Sequence, residues 1–238
     1  MEYPKIDSLY MREGCGPYDE EKHRYVSDLE KKPRKSAIIE GQYACPEFAA
    51  INTWSVTEKV DGTNVRIIFQ RNAIDREKFV LDFRGRTDNA QFPTFLFTYL
   101  QSTFSAQKMH EVFKESNYVI LFGEGYSPKI QSGGYYRKDA SFILFDAYVS
   151  GWWLTREGVA EVAEELGIDA VPLLNIPQLN RLVWTTEEIV QYVKMMPVSQ
   201  IAQVQKNQME GIVARSEPQM MFRKGGPIMF KLKTKDFA

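Results

Sequence analysis

The stretch TEKVDGTNVRI, residues 57–67, sets Lys59 just ahead of a carboxylate and a glycine within an otherwise strand-like run. Such a lysine is either a solvated strand charge or a nucleophile, and both readings stay open on this stretch alone. The β-branched and aromatic character of NVRIIF (64–69) returns in FVLDFRG (79–85), YVILFGE (118–124), SFILFDAYV (141–149), GIVAR (211–215) and IMFKLK (228–233), all predicted strands. Helical signals lie between them. TFLFTYLQSTF (94–104) and AQKMHEVFKE (106–115) read as short helices, and TREGVAEVAEELG (155–167) runs from a Thr N-cap to a Gly stop. In TTEEIVQYVKMM (185–196), Thr185 and Glu188 form a predicted capping box ahead of Pro197. Strands in pairs and helices in a separate block, without βαβ alternation, predict an α+β architecture of antiparallel sheets with peripheral helices. No repeat, low-complexity tract or Gly/Ser linker marks a boundary, so one domain over residues 1–238 is expected.

Composition sets the outer limits. With 238 residues, 44% hydrophobic and 13% aromatic, the chain has material for a substantial core. The N-terminal MEYPKIDSLYMREGC lacks the apolar centre of a signal peptide, and no run approaches the ~18 apolar residues of a membrane span. A cytoplasmic location without membrane association is the expectation. Cys15 and Cys45 have no CxxC or Cys/His spacing around them, which favours reduced thiols over a disulfide framework or zinc site. The net charge of -1 argues against bulk electrostatic binding to nucleic acid, yet residues 211–238 carry six basic groups against two acidic ones. Twelve basic groups face ten acidic ones over 59–153, so positive character gathers around the opening stretch and the C-terminal tail. That distribution suits a local polyanion groove and equally suits ordinary surface patchiness.

Several chemistries lack their parts. His23 and His110 lie in no recognisable motif, which leaves Ser-His or Cys-His hydrolysis without support. GEGYSPKIQSGG has paired glycines outside the strand–GxGxxG–helix setting, and no GxxxxGK[ST] loop occurs. The suggestive groups are cations and carboxylates at strand ends: Lys59 with Asp61, Arg84 with Arg86, Glu124, Asp146, Glu210, and Lys231 with Lys233. An amine attacks only when neutral, and an ordinary lysine near pKa 10.4 is only about 0.04% neutral at pH 7. Neighbouring cations and a bound divalent metal would favour the neutral form, and the same charges would neutralise phosphate in a transition state. Taken singly, each of these residues is explained as well by a strand-edge charge in solvent.

Their order changes the balance. KVDGTN (59–64), FRGRTD (83–88), LFGEGY (121–126), FILFDAY (142–148), EGIVAR (210–215) and FKLK (230–233) resemble, in sequence and spacing, the motifs of the covalent nucleotidyltransferases, the superfamily of polynucleotide ligases and mRNA capping enzymes. Asn64 stands where DNA ligases and capping enzymes often have arginine and nick-sealing RNA ligases have asparagine, which tilts the resemblance toward the ATP-dependent RNA ligases. YPKIDSLYMRE (3–13) and YSPKIQSGGYY (126–136) also look like segments of that group. By its residues the second offers Lys129, two glycines and the aromatics Tyr135 and Tyr136 for tracking a nucleic-acid backbone, or a plain solvated turn.

The resemblance implies a nucleotidyltransferase, ATP-grasp-like fold and a set of roles. Lys59 would be the covalent nucleophile toward the α-phosphate of ATP, with Asn64 near that phosphate. Arg86 would contact phosphate or ribose, with Arg84 less securely aligned. Glu124 would serve ribose or metal, Phe145 would stack on the purine, and Asp146 beside it would be a polar or metal-linked helper. Glu210 would organise Mg2+ or Mn2+, Lys231 and Lys233 would hold the α-phosphate, and Glu58 would border the nucleobase edge. The implied substrates are RNA 3′-hydroxyl and 5′-phosphate ends, as in nicked duplex or broken RNA. With five residues following Lys233, the C-terminal OB-fold of DNA ligases and capping enzymes is not expected. The expectation is an adenylation domain alone, with a homodimer or partner protein supplying further RNA-binding surface. A minimal DNA ligase, a guanylyltransferase and a non-catalytic RNA-end-binding module are the alternatives. Arg66 stays open between a substrate contact and an ordinary strand arginine.

Overall fold

The computed structural model describes residues 1–19, 24–27, 37–75, 78–176, 181–223 and 225–238. These group into two compact units: one of Met1–Pro4, Val60–Pro172 and Ser199–Asn207, and one of Lys5–Lys59, Leu173–Val198 and Gln208–Ala238. Among the described residues no helix is long and apolar enough to cross a membrane.

In the unit that carries Lys59, a five-stranded sheet runs in the order Asp7–Ser8, Met229–Lys233, Gly211–Ser216, Trp54–Glu58, Val183–Trp184. The pairings are antiparallel except that of Asp7–Ser8, which lies parallel to Met229–Lys233. Alternation along these strands sorts the side chains. Trp54, Val56, Ile212, Ala214, Phe230 and Leu232 enter one buried cluster with Phe48, Ile189 and Val193. Large apolar side chains of this kind each stabilise the fold by about 1.5–3 kcal/mol on full burial. Trp54 donates its indole N–H to Thr186 Oγ1 at 2.9 Å, at the start of the helix Thr186–Lys194. That helix begins in the capping box expected from the sequence: Thr185 Oγ1 accepts from Glu188 N, and Glu188 Oε2 accepts from Thr185 N.

The other unit is built on a six-stranded sheet. Its strands Trp152–Trp153, Ser141–Val149, Tyr118–Tyr126, Thr63–Arg71 and Phe79–Arg84 follow in antiparallel succession, and Asp169–Ala170 pairs parallel to Ser141–Val149. One face, with Val65, Ile67, Phe69, Leu121 and Leu144, packs on the helices Thr94–Thr103, Ala106–Val112 and Arg156–Leu166 through Leu96, Leu100, Met109, Val159 and Leu166. The last helix is capped by Thr155 and stops at Gly167, whose φ of 60° is the left-handed conformation glycine favours. The opposite face carries Ile68, Ile120 and Phe122 under Tyr3, Phe145 and Trp153. Both sheets are therefore mainly antiparallel with helices at the periphery, as the pattern of segments predicts.

Candidate active site

Register determines which functional side chains share a face. Val213 pairs with both Thr57 and Lys231, and Gly211 pairs with Lys233 while its carbonyl accepts from Lys59 N at 2.9 Å. Period two then puts Lys59, Lys231 and Lys233 on the face opposite the Trp54–Phe230 core. Gly211 is needed at this crowded point: a Cβ there would lie 2.1 Å from the Leu232 carbonyl oxygen. Glu210, immediately before it, gathers the cations. Lys59 Nζ donates to Glu210 Oε2 at 2.6 Å, and Lys233 Nζ donates to Glu210 Oε1 at 2.5 Å. Lys231 turns elsewhere, donating to the Ile6 carbonyl at 2.6 Å. Glu58 is 2% exposed, on the strand parity of Trp54 and Val56.

The second set of residues belongs to the other unit. Asn64, Glu124 and Ile143 align across three strands, on the face away from the helices. The Asn64 side-chain oxygen is buried without a hydrogen-bond partner. An orphaned acceptor of this kind costs about 1–3 kcal/mol, which a donor from a bound ligand would offset. Phe145 sits at a register break: Leu144 opposes Gly123 and Asp146 opposes Phe122, so Phe145 is the extra residue of a bulge. Bulges re-aim side chains and recur beside active sites. Phe145 is half-buried, with its ring edge-on to Tyr3 at 5.0 Å. Asp146 is fully buried; its Oδ2 accepts from Tyr3 Oη at 2.9 Å, and its Oδ1 accepts from Arg156 Nη2 at 3.2 Å and from Ala147 N at 3.1 Å.

Arg86 is exposed on the segment after Phe79–Arg84. Arg84 bonds Asp82 at 2.6 Å and approaches Asp88 at 3.5 Å; the Asp82 hydrogen bond, with its charge, holds the Arg84 guanidinium more firmly protonated still. Gly62 lies so close to the neighbouring strand that a Cβ would meet the Gly125 carbonyl oxygen at 2.5 Å and Glu124 Cγ at 2.9 Å. Next to it, Asp61 N donates to Tyr136 Oη at 3.1 Å, and Val60 is buried with Tyr126, Tyr136 and Ile143. Burial raises the Tyr126 phenol above its ordinary value.

The RNA ligase family profile matches residues 52–233, a span containing the six ordered motifs from KVDGTN to FKLK. The chain belongs to the RNA ligase family. Comparison with curated protein sequences gave no match. Among solved structures, this family member is similar in fold to part of Naegleria gruberi RNA ligase. A lysine-to-alanine mutant of that enzyme with ATP and Mn is 18% identical at a TM-score of 0.52, covering 78% of this chain and 50% of that one. The form with PPi is 20% identical at 0.53, with the same coverage. A glutamate-to-alanine mutant with AMP and Mn is 19% identical at 0.53, covering 81% and 53%. The chain spans about half the length of these ligase chains.

In this RNA ligase family member, some of the predicted residues meet one another and others have different partners. Lys59, Lys233 and Glu210 form one cluster, while Lys231 is directed at a main-chain carbonyl. Arg66 is fully buried, which removes it from substrate contact. The loop aromatics divide: Tyr135 is exposed, but Tyr136 is buried with its hydroxyl on the Asp61 turn, so only the first is available for base stacking. His110 packs its ring 4.8 Å from Phe79, Cys45 is a buried free thiol, and His23 and the Cys15 side chain lie outside the described residues.

Tyr3 and Arg156 support Asp146, and Tyr136 supports the Asp61 turn. Sequence patterns miss these supports, because Tyr3 and Tyr136 lie far along the chain from their partners and Arg156 sits in no motif. Carboxylates are the hard-oxygen donors that Mg2+ and Mn2+ prefer, and Glu124 and Asp146 lie in one unit, Glu210 in the other. Among the described residues no group of three or more His, Cys, Asp or Glu could hold an ion alone.

Proposed function

We propose that the chain is an ATP-dependent RNA ligase that joins 3′-hydroxyl and 5′-phosphate ends through a covalent lysyl-AMP. The observation that carries this reading is the Lys59–Glu210–Lys233 cluster in a member of the RNA ligase family. Residues 1–238 act in it as one adenylation domain. Lys59 Nζ attacks the α-phosphorus of ATP; a P–N bond forms, the bond to the β-phosphate oxygen breaks, pyrophosphate leaves, and the amine loses its proton. A 5′-phosphate oxygen then attacks the same phosphorus, breaking the P–N bond and giving the RNA-adenylate. The 3′-hydroxyl finally attacks the 5′-phosphorus, and AMP departs as the phosphodiester forms.

Positioning and charge stabilisation are the protein's share of such phosphoryl chemistry. Lys233 and, once it leaves the Ile6 carbonyl, Lys231 neutralise the α-phosphate, Arg86 holds phosphate or ribose, and Asn64 lies near the reacting phosphate. Phe145 stacks on the purine, with Glu58 at the base edge. Glu124, Asp146 and Glu210 are the proposed carboxylates for Mg2+ or Mn2+, which when bound would spread the developing phosphate charge. ATP, AMP and Mn in the Naegleria gruberi structures support ATP and a divalent metal ion as the cofactors.

Incubation with labelled ATP, GTP or NAD tests the proposal. Covalent label from ATP alone, lost in Lys59→Ala and discharged onto RNA carrying a 5′-phosphate, is expected. A Lys59→Ala protein that still takes label would remove the nucleophile assignment.

A further inference from the structure

Arg66 takes no part in the steps above, yet it is the fully buried cation of the sheet strand Thr63–Arg71. Its guanidinium donates from Nε to the Gly85 carbonyl at 2.7 Å, from Nη2 to Asp88 Oδ1 at 2.8 Å, and from Nη1 to the Met1 carbonyl at 2.9 Å. Gly85 and Asp88 bracket Arg86 and Thr87, so one side chain grips both ends of the segment that presents Arg86. The segment is tight in its own right. Ala90 N donates to the Thr87 carbonyl at 3.1 Å, and a Cβ on Gly85 would lie 2.8 Å from Ala90 Cβ. Arg86 and Thr87 themselves are exposed.

The residue type fits this task. A guanidinium carries five N–H donors on three nitrogens in a rigid planar fork, whereas the three donors of a lysine share one nitrogen and cannot reach acceptors set against Nε, Nη1 and Nη2. The Arg66 hydrogen bond also holds the Asp88 carboxyl below its usual range, although Asp88 is itself 62% exposed. A cation placed on a loop carbonyl and a loop carboxylate immobilises the backbone between them. An exposed arginine on a free loop would instead lose side-chain and backbone entropy each time it engaged a phosphate.

We infer that Arg66 is a positioning residue that fixes the Gly85–Asp88 segment and thereby sets Arg86 for contact with the nucleotide. This rests on the ligase reading given above. Single-turnover adenylation by labelled ATP is compared in wild type, Arg66→Lys, Arg86→Ala and the double variant. Residues acting through one network are non-additive, so Arg66→Lys should slow the step about 10-fold alone and less than about 2-fold in the Arg86→Ala background. The Ala90 amide should lose exchange protection in Arg66→Lys while amides of Thr63–Arg71 keep theirs. Losses that multiply in the double variant, or an Ala90 amide protected as in wild type, would overturn the inference. If Arg66→Lys does not fold, Asp88→Ala at its exposed position takes its place in both measurements, where the same outcomes support or overturn the clamp. A wild-type protein that forms no adduct defeats the ligase reading instead, and the Ala90 amide then decides the clamp by itself.

Discussion

Glu210 holds Lys59 and Lys233 on its two oxygens, at 2.6 and 2.5 Å, and so sets two lysine side chains around a single carboxylate. The bond directs Lys59 Nζ at Glu210, so in the proposed reaction this partner has to give way to the α-phosphate. All three groups are largely buried, with side-chain exposures of 25%, 24% and 15% for Lys59, Lys233 and Glu210. Glu210→Gln keeps the shape but removes the carboxylate that gathers the two amines and is proposed to take Mg2+ or Mn2+. Adenylation of Lys59 should fall by at least about 10-fold, which corresponds to ~1.4 kcal/mol in the barrier. Labelled AMP per enzyme against time reads this directly, and an unchanged rate would leave Glu210 as packing only.

Asp146 is expected to matter first for stability. It is fully buried and paired with Arg156, whose side chain is 10% exposed. Removing one partner of a buried pair destabilises strongly, by about 3–5 kcal/mol, because the other charge loses its counterpart. Asp146→Ala should therefore shift the urea midpoint well below wild type. A variant with wild-type stability and no adenylation would instead make Asp146 chiefly a nucleotide or metal residue.

Tyr136→Phe deletes the hydroxyl that accepts from Asp61 N while leaving the ring in its cluster. The lost bond is worth about 0.5–1.5 kcal/mol. Faster exchange of the Asp61 amide and an adenylation rate lowered about 2- to 10-fold are expected, since that bond is worth roughly one factor of ten. Amide exchange by NMR with a parallel labelling assay checks both.

Thr185→Ala removes one half of the capping box at Thr186–Lys194. A lost cap costs about 1 kcal/mol. The urea midpoint should fall accordingly with adenylation unchanged at low denaturant, because this helix end supports the Trp54 core and carries none of the proposed chemistry.

Alkaline pH should loosen the fold through two groups of one core. Burial pushes the Cys45 thiol from 9.0 up to about 12; it also pushes the Tyr10 phenol from 10.0 up to about 12, with Tyr43, Glu40 and Glu187 adding to the rise. The folded state keeps protons that the unfolded chain releases. Their stabilising contribution is whole below about pH 9 and is lost as pH climbs toward about 12, at up to ~1.4 kcal/mol per pH unit for each group. Unfolding free energy measured from pH 8 to 11 should decline, and Cys45→Ala should flatten the limb that begins near pH 9. A slope unaffected by that substitution would exclude the thiol as its source.

Much of the architecture was legible in the chain because it is written in local chemistry. The six predicted strands and four predicted helices correspond to observed elements, with ends shifted by a few residues where caps and pairing decide the boundary. Thr185 and Glu188 were readable as a capping box because both partners lie within one helical turn. Less was legible near the N-terminus. Asp7–Ser8 and Tyr10–Arg12 are strands only because Met229–Lys233 and Ile38–Tyr43 pair with them, and such short segments carry no periodicity of their own. The strand Trp54–Glu58 alternates over too few residues to stand out, and its pairing with Gly211–Ser216 and Val183–Trp184 makes it a strand.

The sequence by itself determined the residue types, their order and, through a period of two, that Lys231 and Lys233 lie on one side of their strand. It also determined family membership, since the motifs follow one another along the chain. Tertiary structure alone decided which groups meet. Glu210 joins Lys59 across 151 residues, Tyr136 reaches Asp61 across 75, and Arg66 spends its charge on a loop instead of a substrate. The physical reason is that a charge or hydroxyl acquires its role from partners brought together by strand register and burial, and no local propensity encodes a partner so far away.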